Sequence, residues 1–446
     1  MKAIIMAGGK GTRLLPVSEN APKPMTRLLG LPLLEHIMIL LKNNGFTELC
    51  LTLGHKAEVI TEYFGNGERL GLSLTYHLEE EPLGTAGGVR ACMDFIDGED
   101  FLVISGDAAC DFDLRELFER HRRDRSVVTM ALFPHAKPLP YGTVVTDRRG
   151  RIVSFIEKPS WGRVVTDLVN TGVYALSQEI MDMIPEDQPY DFARDLFPAL
   201  SERDMPMTGL PMSGYWCDVG DSASYLRCSM DALDGKLRVS PAAGDRLFTG
   251  RGVHRLENDV VVVAPCLISR GAELGRGAVI EHSVIHPGSR IGAWSRVRNS
   301  VVDGGAVGEA CIVEGTVICR GAQIFPMSVT RRGDVVAREG AALPPPPAAP
   351  VREPVREKGL CRELACAGRA ELMRRMSALL WEAGADFSDG ISLKDGKCRV
   401  RIYPLAEESA ISIEATGGRE KDRLVACEKY SALAESFGGV AKTPEA

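Results

Sequence analysis

Residues 6–14 read MAGGKGTRL, and they directly follow the short apolar run from Lys2 to Met6. The length of that run and the glycines after it predict a buried strand that ends in a tight turn. Glycines in such a turn allow backbone N–H groups to approach phosphate oxygens closely. A dinucleotide-binding G-x-G-x-x-G turn would need glycine where Leu14 stands, and the G-K-[ST] of a P-loop is also missing. The stretch therefore predicts a phosphate-binding turn of another kind, or, as the alternative, a plain glycine turn with surface cations.

Two cations lie near this turn in the sequence. Arg13 is part of it, and the tripeptide PKP places Lys23 ten residues further on. Two fixed positive charges beside a glycine turn suit a nucleoside triphosphate, whose pyrophosphate must leave with negative charge. The whole chain of 446 residues is mildly acidic, with 53 Lys and Arg against 60 Asp and Glu and a net charge of −7. That balance argues against a protein whose main role is to coat nucleic acid.

Strand-like and helix-like runs alternate over about the first 235 residues. Further strands are predicted at 49–53, 101–105 and 127–132, and helices at 33–44 and 113–123. This alternation predicts a three-layer α/β domain with a mostly parallel sheet. Such sheets bind ligands at the carboxyl ends of their strands.

Two aspartates stand at ends of predicted strands. SGD ends on Asp107, and YWCDVG contains Asp218. A strand-end aspartate by itself is more often a structural cap than a metal ligand. Beside a phosphate-binding turn, however, two such carboxylates predict a site for Mg²⁺ that bridges phosphates.

Two further motifs lie between and around these aspartates. The run EPLGTAGG (residues 81–88) is a second glycine-rich loop, able to lie against a flat base. The run FIEKP (residues 155–159) ends another predicted strand with an acid and a base before a proline. Both motifs add to the evidence for a nucleotide site at one edge of the sheet.

The pattern changes after about residue 250. The pairs Leu274-Gly275, Ile291-Gly292 and Val307-Gly308 recur at intervals of 17 and 16, with apolar residues about every six positions between them. This rhythm predicts a left-handed parallel β-helix over residues 250–335, with a β-sandwich as the alternative. Because the end of a β-helix exposes an open strand edge, we expect a homo-oligomer formed through this region. His282 and His286 would be candidate bases if the repeats were an acyltransferase, but we expect both to be surface residues.

Residues 336–358 contain LPPPPAAP and are predicted to be a stiff, extended linker. A helix at 362–383, strands at 398–403 and 410–415, and a helix at 420–437 predict a small α+β domain over 359–440. This part resembles the last domain of the phosphohexomutases. Its segment YPLAEES (residues 403–409) lacks the Arg, Ser, Gly and Thr of that family's R-P-S-G-T-E-P phosphate loop. We therefore expect a degenerate remnant without mutase activity.

Taken in chain order, GGKGTR, PKP, EEPLGTAGG, SGD, FIEKP, NTGVY and GYWCDVG resemble the motifs of the sugar-1-phosphate nucleotidyltransferase family. The resemblance covers residues 1–235 and implies a Rossmann-like catalytic domain. EEPLGTAGG followed by a β-helix most resembles the mannose-1-phosphate guanylyltransferase branch. The implied reaction condenses GTP with mannose 1-phosphate to a nucleotide sugar and pyrophosphate, with Mg²⁺ as cofactor. The glucose-1-phosphate uridylyl-, thymidylyl- or adenylyltransferases are the alternative.

The resemblance also implies a role for individual residues. The catalytic residues are Arg13, Lys23 and Asp107. The residues expected to bind the nucleotide are Gly8, Gly9, Gly11, Thr12, Glu81 and Gly84. The residues expected to bind the sugar phosphate are Gly142, Glu157, Lys158 and Asn170. The expected ligands of Mg²⁺ are Asp107 and Asp218. Because the attacking phosphate is already a nucleophile, positioning and electrostatics suffice and no general base is needed.

Other features bear on the setting of the protein. The twelve cysteines are scattered without a C-x-x-C motif, which predicts reduced thiols rather than disulfides or a zinc site. The N-terminus is a poor signal peptide, and no run approaches the roughly 18 apolar residues of a membrane span. We expect a cytoplasmic protein without nucleic-acid or membrane partners.

A non-catalytic, regulatory relative that binds sugar nucleotide is a further alternative, but it would be expected to lack Arg13, Lys23 or the carboxylates.

Overall fold

A computed structural model gives the architecture of the chain. It describes residues 1–186, 188–250, 252–337, 342–343, 360–366, 368–380, 385, 390–405, 410–417 and 419–441. Most of the segment predicted as a proline-rich linker lies outside the described residues. Eleven cysteines whose side chains the structure describes are buried and form no disulfide with one another. Within the same residues, no helix has the length and apolar character needed to cross a bilayer.

The N-terminal region is an α/β domain, as predicted. Its strands are β1 (Lys2–Met6), β2 (Arg27–Leu28), β3 (Leu31–Pro32), β4 (Glu48–Leu53), β5 (Ser73–Leu78), β6 (Phe101–Ser105), β7 (Ala108–Cys110), β8 (Val128–Pro134), β9 (Gly142–Thr146), β10 (Ile152–Glu157), β11 (Leu168–Leu176), β12 (Met207–Pro211) and β13 (Trp216–Asp218). Its helices are α1 (Leu33–Asn43), α2 (Ala57–Phe64), α3 (Gly84–Arg90), α4 (Met93–Ile96), α5 (Leu114–Asp124), α6 (Phe197–Glu202) and α7 (Ser222–Leu233).

The large sheet of this domain has the order β10-β9-β11-β6-β1-β4-β5, with β8 pairing to β11 and to β12. The strands β6, β1, β4 and β5 are parallel, as predicted. Strand β11 runs antiparallel to β6, β8 and β9, so the sheet is mixed rather than mostly parallel. Short apolar runs do not encode strand direction, which explains the difference.

Strand β1 lies at the centre of the three layers. Ala3, Ile4 and Ile5 have no exposed surface. Because successive side chains of a strand point to opposite faces, Ala3 and Ile5 join the cluster that contains α1, whereas Ile4 joins the cluster that contains α3 and α6. Full burial of each of the two isoleucine side chains stabilises the fold by about 1.5–3 kcal/mol. The turn after β1 is therefore held by a rigid strand.

The region after residue 245 is the predicted parallel β-helix. Its strands are β14 (Arg246–Phe248), β15 (Val253–Arg255), β16 (Val261–Val263), β17 (Cys266–Ile268), β18 (Glu273–Leu274), β19 (Val279–Glu281), β20 (Val284–Ile285), β21 (Arg290–Ile291), β22 (Arg296–Arg298), β23 (Val301–Val302), β24 (Ala306–Val307), β25 (Ile312–Glu314), β26 (Val317–Ile318), β27 (Gln323–Ile324), β28 (Val335–Val336) and β29 (Ala342–Leu343). They form three sheets, in which only β14, β15 and β29 pair antiparallel to a neighbour.

One face of the β-helix packs against the α/β domain. Leu267 and Val284 stack in register on this face, and the same stack continues through the later coils. These side chains share a buried cluster with Leu28 and Leu29 of the α/β domain. An ion pair of 3.2 Å between Arg27 and Asp303 also joins the two regions.

The C-terminal region forms a small α+β unit. Its elements are β30 (Leu360–Ala365), α8 (Arg369–Leu380), β31 (Ile391–Asp395), β32 (Cys398–Pro404), β33 (Ala410–Gly417), α9 (Glu420–Glu435) and β34 (Val440–Ala441). The sheet is antiparallel with the order β31-β32-β33-β30-β34. The predicted helix at 362–383 is wrong at its start, because residues 362–365 belong to β30. The apolar spacing there fits the period of a strand as well as that of a helix. Residues 406–409, part of the segment compared above with a phosphate loop, lie outside the described residues.

Candidate active site

Two adjoining cavities lie at the carboxyl ends of β1, β6 and β10. The first cavity has a volume of about 320 Å³ and the second about 260 Å³. Both are lined by Met6, Thr85, Ser105, Asp107 and Asp191. They therefore form one continuous site with Asp107 at the junction.

Most of the residues predicted from the sequence line these cavities. The first cavity is lined by Gly8, Gly9, Gly11, Lys23, Gly84 and Asp107. The second cavity is lined by Arg13, Asp107, Gly142, Glu157, Asn170 and Asp218. Thr12, Glu81 and Lys158, all within the described part of the chain, lie outside both linings. These three side chains are exposed.

The turn after β1 is shaped by Gly11 and Lys23. Gly11 has a φ of +61°, and a Cβ added there would lie 2.6 Å from the Cβ of Lys23. Such a contact is too close for any side chain, and the positive φ also favours glycine. Gly11 is thus the residue that allows the buried stem of Lys23 to pass beneath the turn.

A short antiparallel ladder between β7 and β13 brings the two predicted metal ligands together. Asp218 pairs with Ala108, the residue after Asp107. The ammonium of Lys23 lies between them, 2.6 Å from Asp107 Oδ2 and 3.3 Å from Asp218 Oδ1. Ser105 Oγ donates a 2.5 Å hydrogen bond to Asp107 Oδ1. The ladder thus bridges residues that are far apart in the sequence.

The charges of this cluster shift the pKa of each member. Burial raises the pKa of Asp107, but the charge and hydrogen bond of Lys23 outweigh it and hold that pKa below the usual value. The pKa of Asp218 is raised, because burial and the charge of Asp107 outweigh the effect of Lys23. Burial lowers the pKa of Lys23, yet the two carboxylates raise it above its usual value. The lysine is therefore a fixed cation between two carboxyl groups.

The second cavity has polar groups on one wall and aromatic rings on another. Glu157 pairs with Gly142 across β10 and β9, and a Cβ at Gly142 would lie 2.8 Å from Glu157 Oε2. Asn170 Nδ2 donates a 2.8 Å hydrogen bond to the hydroxyl of Tyr174. The rings of Tyr141 and Trp216 meet nearly edge to face, with centroids 5.2 Å apart. Acceptors and donors beside an aromatic wall suit a polyhydroxylated ring.

A family model described as nucleotidyl transferase matches residues 2–235. The chain belongs to the sugar-1-phosphate nucleotidyltransferase family. A UTP–glucose-1-phosphate uridylyltransferase of Synechocystis is 32% identical, over 68% of this chain and 87% of the relative. A mannose-1-phosphate guanylyltransferase of Mycobacterium tuberculosis is 34% identical, over 65% and 81%. Mannose-1-phosphate guanylyltransferase 1 of Arabidopsis thaliana is 28% identical, over 73% and 96%.

Glu79 is a residue of this nucleotidyltransferase that the sequence interpretation missed. It lines the first cavity, whereas the predicted Glu81 does not. A Cβ at Gly88 would lie 2.5 Å from Glu79 Oε1, so glycine there makes room for the carboxyl group. Burial raises the pKa of Glu79, against hydrogen bonds from the Leu83 N–H and the Thr52 side chain. Glu79 is the first residue after β5, and this position at a strand end was the available signal.

Asp191 is a second missed residue, and it lines both cavities of the nucleotidyltransferase. Its side chain accepts a 2.7 Å hydrogen bond from Thr85 Oγ1, which ties it to the second glycine-rich loop. It also accepts hydrogen bonds from the backbone N–H groups of Ala193 and Arg194. Asp191 lies outside all the sequence motifs of the resemblance, so only the folded structure identifies it.

The two histidines considered as acyltransferase bases lie in the β-helix of the nucleotidyltransferase. The expectation that both are surface residues is wrong for His286, which has no exposed surface. Burial lowers the pKa of His286 to about 4. His282 contacts Asn299 and Asp234 through its two ring nitrogens, at 2.7 and 2.9 Å. Neither histidine lines either cavity.

Proposed function

We propose that this nucleotidyltransferase condenses GTP with mannose 1-phosphate to give GDP-mannose and pyrophosphate. The observation that carries the proposal is the carboxyl group of Glu79 in the first cavity, beside the glycine turn that would bind the triphosphate. Similarity to mannose-1-phosphate guanylyltransferases of a bacterium and a plant supports the same choice.

The chemistry of Glu79 favours guanine. A carboxylate accepts hydrogen bonds but donates none. Guanine presents two neighbouring donors, N1–H and N2–H, which match the two oxygens of one carboxylate. Uracil presents a single N–H between two carbonyl oxygens, which a carboxylate would repel. A site whose acceptors match two donors of one base disfavours a base that lacks them, because its polar groups are then left unpaired.

The first cavity would hold the nucleotide. The backbone of Gly8, Gly9 and Gly11 would approach the triphosphate, and Thr12 and Gly84 would complete the loops around it. Arg13 and Lys23 would stabilise the negative charge that develops on pyrophosphate as it leaves. Because Glu79 lines the first cavity and Glu81 does not, we assign contact with the base to Glu79 rather than Glu81.

The second cavity would hold the sugar phosphate. Glu157 would accept hydrogen bonds from the sugar hydroxyl groups, and the amide of Asn170 would donate hydrogen bonds to them. Lys158 is exposed and lies 3.5 Å from Glu157, from where its ammonium can reach an entering phosphate. Holding the phosphate oxygen in line with the α-phosphorus would account for much of the rate, since no proton has to be removed.

The cluster of Asp107 and Asp218 fits Mg²⁺. Within the described residues no group of three or more His, Cys, Asp or Glu side chains converges as a metal site. A protein site for Mg²⁺ commonly needs only one or two carboxylates, because substrate phosphates supply further oxygens. When bound, the ion would neutralise charge on the phosphates. The two carboxylates already converge on one cation, the ammonium of Lys23, so their positions also suit a metal cation.

We also propose that a second copy of the chain covers the end of the β-helix. Large apolar side chains are exposed in the second half of the β-helix, namely Trp294, Ile312, Phe325, Met327 and Val329. Among the described residues, strand β27 pairs on one side only, with β24. A monomer that exposes both apolar side chains and an open edge is prone to pair. Sedimentation should show a dimer or larger species, and Met327→Glu should shift it toward monomer, whereas Val253→Glu at the opposite end should not. A monomeric wild-type protein would contradict this part of the proposal.

The main proposal is tested by pyrophosphate release from a panel of four nucleoside triphosphates and several hexose 1-phosphates. We expect the highest kcat/KM with GTP and mannose 1-phosphate. A preference for UTP and glucose 1-phosphate would favour the second candidate, which the 32% identical uridylyltransferase supports. Nucleotide binding without turnover across the whole panel would instead indicate a regulatory relative.

A further inference from the structure

The C-terminal domain packs against one particular segment of the catalytic domain. Residues 158–167 connect Glu157, at the end of β10, to the start of β11, which carries Asn170. Both of these residues line the second cavity. Four buried side chains of this segment, those of Trp161, Val164, Val165 and Asp167, contact the C-terminal domain.

Trp161 is the first anchor of this contact. Only 8% of Trp161 is exposed, and it packs with Val164 and Ala370 in a small buried cluster. The guanidinium of Arg369, at the start of α8, lies 3.6 Å from the centroid of the indole ring. Leu139 packs against the same cluster, two residues before Tyr141 of the second cavity. The cluster therefore touches two of the chain segments that border the second cavity.

Asp167 is the second anchor. Its carboxylate is 8% exposed and lies 2.5 Å from the Nε of Arg374, one turn further along α8. Burial raises the pKa of Asp167 despite the opposing charge of Arg374. The carbonyl of Asp167 accepts a 2.8 Å hydrogen bond from the N–H of His135, whose ring meets Tyr141. The ion pair thus connects α8 to the aromatic wall of the second cavity.

The contact between the two domains is also closely packed elsewhere. Val145 and Val165 of the catalytic domain belong to the hydrophobic core of the C-terminal domain. Gly390 approaches Gly162 so closely that a Cβ at Gly390 would lie 3.1 Å from the carbonyl oxygen of Gly162. A packed interface of this kind transmits displacement instead of absorbing it.

We propose that the C-terminal domain positions the sugar-phosphate half of the active site through Trp161–Arg369 and Asp167–Arg374. The inference rests on the assignment of the second cavity to the sugar phosphate. Arg369 and Arg374 are positioning residues, since they act on Glu157 and Asn170 through the segment between them. Among the described residues we find no comparable contact between the first cavity and the C-terminal domain, so the proposal predicts a smaller effect on nucleotide binding than on sugar-phosphate binding.

Steady-state kinetics of the full chain test whether the C-terminal domain affects the KM for the hexose 1-phosphate and not the KM for the nucleotide. In Arg369→Ala and Arg374→Ala, the KM for the hexose 1-phosphate should rise about three- to tenfold, with a change below about twofold for the nucleotide. Arg374→Lys keeps a cation opposite Asp167 and should recover most of the loss. The matched control is Arg375→Ala, on the same helix, whose guanidinium packs over Phe437 inside the C-terminal domain. Equal increases of both KM values, or none, would overturn the proposal.

Hydrogen exchange supplies a readout that does not depend on turnover. In the two alanine variants the backbone amides of residues 158–167 should exchange faster than in the wild type, and in Arg375→Ala they should not. This result would stand even if no hexose 1-phosphate were a substrate, so it separates a failure of the positioning role from a failure of the proposed function. Unchanged exchange in both variants would refute the positioning role.

Discussion

The ammonium of Lys23 lies 2.6 Å from a carboxylate oxygen of Asp107, and only 6% of the lysine side chain is exposed. The same ammonium lies 3.3 Å from Asp218. Lys23 therefore balances part of the negative charge of two carboxylates before any substrate binds. A divalent cation at the same carboxylates has to compete with it. Release of Lys23 from Asp107 would then make its charge available to the phosphates of the first cavity.

Replacing Lys23 by methionine should separate its competition with Mg²⁺ from its stabilisation of the phosphates. Loss of the competing ammonium should strengthen Mg²⁺ binding without nucleotide by about tenfold or more, because tenfold corresponds to about 1.4 kcal/mol and unit charges this close interact more strongly than that in a partly buried site. Turnover should nevertheless fall by about 10²–10³, because a cation is lost from the leaving pyrophosphate. Calorimetric titration with Mg²⁺ and pyrophosphate release measure the two quantities. Weaker Mg²⁺ binding in Lys23→Met would show that the lysine supports the ion instead of competing with it.

Asp107→Ala should abolish measurable turnover while the protein remains folded. The substitution removes one of two converging carboxylates and leaves Lys23 with Asp218 as partner. Asp113→Ala is the control, because Asp113 caps α5 by accepting a hydrogen bond from the Glu116 N–H and lines neither cavity. It should cost about 1 kcal/mol of stability and keep its activity. Activity near the wild-type level in Asp107→Ala with Mg²⁺ would contradict the assignment of the ion to this cluster.

Glu79→Gln should reduce the preference for GTP over UTP. A glutamine side chain both donates and accepts, so one of the two matched contacts with guanine is lost and a carbonyl of uracil gains a donor. The ratio of kcat/KM for GTP to that for UTP should fall about tenfold or more. Glu80→Gln removes the same charge from an exposed neighbour and should leave the ratio unchanged. If the ratio is unaltered in Glu79→Gln, residues other than Glu79 recognise the base.

The comparison of Glu79 with Glu81 shows where sequence interpretation succeeds and where it stops. The strand Lys2–Met6, the glycine turn and the strand-end carboxylates are local patterns, and the structure places them at one site. Which of three consecutive glutamates enters the cavity depends on the residue at which β5 ends, and composition does not encode that. The alternation of strands predicted the layers, but the direction of β11 depends on its neighbours.

Long-range packing accounts for the other differences. The sequence predicts His286 as a surface residue of a solenoid, because few repeat turns are present and an acyltransferase is therefore disfavoured. Here one face of the β-helix packs against the α/β domain, and its apolar stack joins that domain's core. Asp191 and the anchors of the C-terminal domain are likewise defined by contacts between segments that are distant in sequence. Such contacts follow from the fold and leave no short motif.

His286 should make the protein less stable in mild acid. Both of its ring nitrogens are buried without a hydrogen-bond partner among the described residues, in a setting that also includes Arg27, Asp245, Asp303 and Arg320. Burial lowers its pKa to about 4, against about 6.5 in an unfolded chain. Between these values the unfolded chain binds a proton that the folded protein does not, so stability is full above pH 6.5 and falls as the pH drops toward 4. Between pH 7 and pH 5 the titration of His286 lowers the free energy of unfolding by about 2 kcal/mol.

Urea unfolding at pH 7 and pH 5 measures this linkage. The wild-type free energy of unfolding should fall by about 2 kcal/mol more than that of His286→Leu, which carries no titrating group at this position. His282→Gln is the matched control, since His282 is hydrogen-bonded to Asn299 and Asp234 at the edge of the same coil. That variant should keep the acid-dependent decrease of the wild type. An equal decrease in wild type and His286→Leu would mean that His286 is protonated as easily in the folded protein as in the unfolded chain, against the burial that the structure shows.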